Sequence, residues 1–364
     1  MSPISFVKYS DVAYSCLNED QTHRPNVNYI VDELEKALEL EQQYENVRKK
    51  LVRLKNRHLK IRLTDIKFAT DNFSETHKIF SLFNYNCYRA ELLQHGKQNA
   101  STVVIKRISS RQELYQELHF VRDFEVLTHV NHPNIVTLFG FCIEADEMIL
   151  CFDNVSKGYL ANYLSSNEER LVLTWEKRLK ICIDVARALN YLHDQKMIIN
   201  RDICAWNIGL DENWGAKIVN FHFSTPVPSN QEDGDNLNWM GRTCYRDPEY
   251  EENGMLKKES DVYSFGVVLF EVLCGRLADN PIYTKENERG LAHLARHNFH
   301  NGTQEDMIDP IIMEETKENN TDSLSIFIDI ANQCMAENQE QRPTMKVVVD
   351  ELEKTLFFSS NSTP

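Results

Sequence analysis

The 364-residue sequence predicts an α+β protein of two lobes, a small β-rich lobe and a large helical one, preceded by a helical segment. Three patterns carry this. Residues 76–108 and 134–152 hold β-branched and aromatic runs, such as Val103-Val104-Ile105 and Met148 to Phe152. After Gly158 helical periodicity dominates, as in Trp175 to His193 and Ser264 to Cys274. Ahead of both, Ile30 to Leu59 contains neither Gly nor Pro, and Leu34, Leu38, Tyr44, Val47, Leu51 and Leu54 recur at helical spacing.

The first element is one half of an internal repeat. Residues 11–38 read DVAYSCLNEDQTHRPNVNYIVDELEKAL, and residues 329–356 read DIANQCMAENQEQRPTMKVVVDELEKTL. Cys16 and Arg24 match Cys334 and Arg342 at one common offset, without gaps, so both segments should form the same helix, Arg-Pro turn and helix. The first copy is expected to lack a preceding body of its own within this sequence to pack against. Residues 40–62 follow as a helical linker. Its basic residues, Arg48, Lys49, Lys50, Arg53, Lys55, Arg57, Lys60 and Arg62, are expected on a solvated helix rather than on acidic lipid. Asp65 to Phe73 is predicted as a short helix, and Arg111 to Val130 as a longer one between the two β-rich stretches.

Composition limits the function classes. Lys plus Arg is 40 against 55 for Asp plus Glu, a formal net charge of -15, which argues against nucleic acid as a partner. No apolar run is long enough to cross a membrane, and MSPISFVKYSD does not read as a secretory signal. Nine cysteines, with no CxxC among them, are expected as reduced, buried thiols of a cytoplasmic protein.

The chemistry lies in an ordered set of motifs: LTDIKFATDNFSE at 63–75, VVIK at 103–106, HPNIVTLFGFC at 132–142, NRDICAWN at 200–207, NFH at 220–222, DPEY at 247–250, SDVYSFGVVLFEVLCGR at 260–276 and QRP at 341–343. In this order they resemble eukaryotic protein kinases, most closely the cytoplasmic domains of plant receptor-like kinases, with the malectin-like subgroup as the nearest match. The resemblance implies the two-lobed protein-kinase fold over 63–358. The small lobe spans about 63–152, the large lobe about 155–358, and 359–364 is expected to be a disordered tail. Residues 1–39 then look like the C-terminal remnant of an upstream kinase domain.

Carried onto this sequence, the resemblance gives Lys106 the place of the phosphate-pairing lysine and Asp123 that of its acidic partner, with Glu117 more than a helical turn away. Aspartate is one methylene shorter than the usual glutamate, so a long contact or a shifted helix is expected. Asp202 takes the place of the base for the substrate hydroxyl, and Asn207 that of a magnesium ligand. Phe152 stands at the gatekeeper position and Asp153 to Val155 at the hinge, which keeps adenine recognition open. Glu249 is expected to pair with buried Arg342, and Asp261 to brace the catalytic loop.

Against this stand the departures. The glycine loop carries Phe80, Leu82 and Tyr85 at its glycine positions, removing close backbone access to phosphate. Asn220 replaces the metal-binding aspartate, His222 the glycine of that turn, Asn200 the catalytic-loop histidine and Cys204 the lysine facing the γ-phosphate. Arg242 holds the place of an activation-loop threonine and is expected beside Asp202. Arg201 is the family's dock for a loop phosphate. Ser224, Thr225 and Ser229 are candidate sites, and Glu232, Asp233 and Asp235 candidate mimics.

ATP and magnesium are the cofactors the resemblance implies, and the departures count against both. The reading favoured is a pseudokinase, an interaction or allosteric module. Its partners would be other proteins, receptor or active kinases, in the cytoplasm or at the plasma membrane through a receptor. A weakly active serine/threonine kinase and an ATP-binding domain without transfer stay open beside it.

Overall fold

A computed structural model describes residues 3–54, 59–81, 85–93, 99–108, 114–145, 147–227, 241–284, 290–316 and 321–361. Two compact units emerge: Met1–Thr128 with Thr137–Asn154, and His129–Val136 with Val155–Pro364.

The first unit opens with α1 (Pro3–Cys16) and α2 (Val27–Leu54), joined by a 3-10 turn at Gln21–His23. The helix after them, α3, spans only Leu63–Ala69. The expected helix through Phe73 therefore ends early, because Asp71, Asn72 and Phe73 take left-handed backbone. The Thr70 hydroxyl fixes that turn, donating to Ile66 O at 2.7 Å and accepting from Phe73 N at 3.1 Å. A five-stranded antiparallel sheet follows, in the order β1-β2-β3-β5-β4, from β1 (Lys78–Ser81), β2 (Tyr85–Leu93), β3 (Ala100–Ile108), β4 (Leu138–Glu144) and β5 (Glu147–Asp153). Its inner face packs Ile66, Val103, Ile105, Ile149 and Cys151 into one core. The helix α4 (Leu114–His129) lies between β3 and β4 in the chain.

The linker charges are partly neutralised within this unit. Lys50 pairs with Glu125 at 2.9 Å, Lys60 with Glu144 at 2.8 Å and Arg62 with Asp65 at 2.9 Å. Lys55 and Arg57 lie outside the described residues.

The second unit is mainly helical: α5 (Leu160–Ser165), α6 (Trp175–Asn190), α7 (Pro248–Asn253), α8 (Lys258–Cys274), α9 (Pro281–Thr284), α10 (Gly290–Asn301), α11 (Pro310–Thr316), α12 (Thr321–Cys334) and α13 (Met345–Asn361). Thr174 caps α6 by accepting from Lys177 N, and left-handed Gly275 ends α8. Fifteen consecutive residues of α8, Ser260 to Cys274, are buried, which makes it the central helix. Short strands β6 (Gly158–Tyr159), β8 (Ile208–Leu210) and β9 (Ala216–Ile218) form one small sheet; β7 (Ile198–Ile199) and β10 (Thr225–Pro226) form another. These ribbons hold the 200–222 segment. The last helix continues through Asn361, so 359–361 are helical rather than tail; 362–364 lie outside the described residues. Among the described helices none is long and apolar enough to cross a membrane.

Candidate functional site

In the small lobe, β3 carries Lys106 inward from a buried run, opposite Cys87 of β2 and Leu150 of β5. Its Nζ lies 2.7 Å from Asp123 Oδ2 of α4, and both side chains are buried. The contact is short, because α4 approaches closely enough for the aspartate. The ammonium also sits 4.4 Å from the ring centroid of Tyr85, whose edge meets Phe80 at 6.2 Å. A desolvated cation–π contact contributes about 2 kcal/mol. At two of the three glycine positions, then, aromatic rings pack within their own lobe; Leu82 lies outside the described residues.

His119 stands one turn before Asp123. Burial, then the Lys106 and Arg122 charges, push its imidazole down to about 4, so it is neutral. The sequence gives no sign of it, since its neighbours are set by how α4 docks. Phe152 is buried in β5 opposite Val104 and Leu138, and Asp153 Oδ2 accepts from Thr137 N at 3.3 Å. Val155, in the large lobe, packs so tightly on Gly209 that a Cβ there would meet its Cγ1 at 2.4 Å.

In the large lobe, Asp261 of α8 braces the loop. Its carboxylate accepts from Asn200 N at 2.7 Å and Arg201 N at 2.8 Å, and bonds His193 Nε2 at 2.8 Å. Arg201 is held at a φ of 71°, a conformation costly for a residue with a Cβ. Asn200 reproduces part of a histidine's role: its Nδ2 donates to Asn220 O at 2.9 Å. Asp202 then becomes the focus of two amides. Its Oδ2 accepts from Asn207 Nδ2 at 2.7 Å and from Asn220 Nδ2 at 3.0 Å. The Oδ1 of Asn220 is bonded to His222 Nδ1.

Cys204 is buried, and burial, followed by the Asp202 and Glu271 charges, raises its thiol well above the ordinary value. It is a neutral group where the family has a cation. Ser224 is also buried, donating to Asn200 O at 3.3 Å, while Thr225 lies in β10. Ser229, Glu232, Asp233 and Asp235 lie outside the described residues.

Two expected contacts are different. Arg242 does not meet Asp202; its Nη1 pairs with Asp279 at 3.0 Å and its guanidinium lies 5.1 Å from the Trp206 ring centroid. Arg342 pairs with Asp247 at 2.7 Å, not with Glu249, which instead accepts from Gln339 N. Asp247 caps α7 and faces inward, whereas Glu249 sits in the first turn, further out.

Glu271 of α8 is a further buried acid, accepting from Tyr245 Oη at 2.5 Å and Ala278 N at 2.6 Å. Burial raises its carboxyl to about 8. Because the folded state then holds a proton that the unfolded state has released, this contribution is complete below about pH 4.5 and lost as pH rises toward 8. Stability should fall by up to about 1.4 kcal/mol per pH unit across that window. Glu271→Gln should flatten the slope; denaturant titrations at pH 5, 6.5 and 8 check this, and an unchanged slope would refute it.

Magnesium is usually held by one or two carboxylates together with phosphates. Here the described side chains supply one carboxylate, Asp202, and both neighbouring asparagines present N–H groups to it. Among the described residues no group of three His, Cys, Asp or Glu side chains is gathered for a metal ion. The set does not fit a magnesium centre.

A family model described as protein tyrosine and serine/threonine kinase matches residues 84–352. The chain is 38% identical over 297 residues to the receptor-like protein kinase ANXUR2 of Arabidopsis thaliana, covering 81% of this chain and 33% of that protein. It is 35% identical over 302 residues to the receptor-like protein kinase FERONIA of the same plant, covering 82% and 32%. The chain thus spans about a third of the length of the curated relatives it matches.

Proposed function

Since the chain belongs to the protein tyrosine and serine/threonine kinase family, we propose that it is a pseudokinase, a kinase-shaped interaction or allosteric module in receptor-linked signalling. The observation that carries this is the pair of amide donors on Asp202 Oδ2. They occupy the group that would act as base, and one of them, Asn220, stands where metal chemistry needs anionic oxygen. Neutral Cys204 and the Tyr85 ring over Lys106 support the same reading from both lobes. Loss of metal stabilisation removes several kcal/mol of transition-state stabilisation, and about 1.4 kcal/mol is tenfold in rate. Its partners are other proteins, receptor or active kinases, met in the cytoplasm or beside the plasma membrane.

The Lys106–Asp123 pair favours a second reading, nucleotide binding without transfer. One experiment addresses both. The protein is incubated with radiolabelled ATP and magnesium beside an Asp202→Ala control, and its melting temperature is followed with ATP. We expect no incorporation above the control. Robust labelling that disappears in the control overturns the pseudokinase reading. The absence of a thermal shift at millimolar ATP removes the second reading.

A further inference from the structure

The two copies of the internal repeat adopt the same fold: α1, a 3-10 turn and α2 in the first, and α12, a 3-10 turn at Gln339–Gln341 and α13 in the second. Even the Arg-Pro turn is the same. Arg24 Nε donates to Asn18 O at 2.8 Å, and its counterpart Arg342 Nε donates to Ala336 O at 2.8 Å. The seam inside each hairpin is closed as well, with Val12 and Ala37 buried in the first and Ile330 and Thr355 in the second.

The outward faces differ. Leu17 is 78% exposed, whereas its counterpart Met335 is 0% exposed. Val27 at 72% corresponds to Met345 at 2%, and Tyr9 at 49% to Phe327 at 0%. In the second copy this face is covered by α6 and α8. Phe327 meets the ring of Trp175 at 5.0 Å, and Met335 seats so closely on Gly266 of α8 that a Cβ there would meet its Cγ at 2.7 Å. The guanidinium of Arg342 closes the interface on Asp247. Arg24, exposed, has no carboxylate partner among the described residues.

From this we infer that the 3–38 hairpin is a docking element for a kinase-type large lobe whose own terminal hairpin is missing or displaced. The partner lobe offers a cradle like that of α6 and α8, with a small residue to seat Leu17 and an aspartate at a helix cap to take Arg24. The interface within this same chain defines the complement, in apolar shape and in the single charge pair. A second intact copy is not the occupant, because its cradle already holds its own tethered hairpin.

The test uses the whole 364-residue chain. A probe carries Arg342→Ala, which loosens its own hairpin and leaves Asp247 without a cation, together with Leu17→Glu and Arg24→Glu, which disable its first hairpin. Mixed with the unmodified chain, the probe should form a 1:1 complex in sedimentation velocity and recover most of its lost melting temperature. Arg24→Glu in the unmodified partner should weaken the complex about tenfold or more. A probe with Arg342→Gln in place of Arg342→Ala, which also leaves Asp247 without a cation but keeps more of the side chain, serves if the first does not fold. No complex with a folded probe, or a complex indifferent to Arg24→Glu, overturns the inference. Leu17→Glu in the otherwise unmodified chain should leave its melting temperature unchanged; a clear fall would mean that the face is already covered, and would equally overturn it.

Discussion

Replacing Arg342 by alanine should cost about 3–5 kcal/mol of large-lobe stability and lower its melting temperature by roughly 10 °C. The reason is the number of groups that depend on one guanidinium. Arg342 donates to Asp247 Oδ1, to the carbonyls of Ala336, Glu259 and Glu337, and lies 4.9 Å from the Tyr263 ring centroid. Asp247 in turn accepts from Ser260, Gln339 and Glu249 N. Burial alone would push the Asp247 carboxyl up. The hydrogen bond and charge of Arg342, aided by Gln339 and Ser260, outweigh it and hold the carboxyl below its usual value. A carboxyl lowered in this way stabilises the fold above its unfolded pKa of about 4 and loses that contribution as pH falls further. The wild type should therefore show acid sensitivity from this pair that Arg342→Ala lacks. Calorimetry at pH 7 and pH 3.5 checks both points. A fall of less than about 2 °C at pH 7 would mean that the pair does not hold the lobe together.

Asn220→Asp should make the protein depend on magnesium for stability. The substitution removes an N–H donor from Asp202 Oδ2 and sets a second carboxylate about as near as the 3.0 Å that now separates donor and acceptor. Two carboxylates at that distance do not both ionise without cost, so one of them is pushed to a raised pKa. A raised carboxyl pKa means stability that is kept at low pH and lost as pH rises through it. The variant should thus be about 2 kcal/mol less stable in a chelator at pH 8, with a smaller deficit at pH 5. Millimolar magnesium should restore it by bridging the two carboxylates. His222, already bonded to residue 220, can offset part of the charge by taking a proton. Combining Asn220→Asp with His222→Gly removes that offset and should deepen the deficit. Melting curves with chelator and with magnesium decide the matter. A magnesium-dependent rise in the wild type would contradict the view that the Asn220 amide on Asp202 has displaced the metal centre.

Much of this molecule is legible from residues alone. The continuous β-branched and aromatic runs of β3 and β5 and the apolar stretch of α8 specify their elements, because such patterns depend only on neighbours along the chain. The motif spacing also singles out Asp202, Asn207 and Asn220, whose side chains meet in the large lobe, and Asp123 as the residue that meets Lys106 in the small one. What spacing does not reach is the identity of contacts that close over long loops. Glu249 and Asp247 are two residues apart, and only the fold, which sets Asp247 against Ser260 of α8 and Gln339, selects it for Arg342. Arg242 has Asp202 and Asp279 as acids to choose from, and the fold brings it to Asp279. His119 and Glu271 acquire their unusual protonation only because packing buries them.

The repeat divides the two kinds of information most clearly. Near-identical sequence determines that 11–38 and 329–356 form the same helical hairpin with the same arginine turn, since helices, caps and turns obey local rules. Tertiary structure alone decides that Met335 is buried while Leu17 is in solvent, and that Arg342 has a carboxylate while Arg24 has none among the described residues. Burial and charge pairing belong to whatever surface lies opposite, and that surface comes from segments distant in the chain.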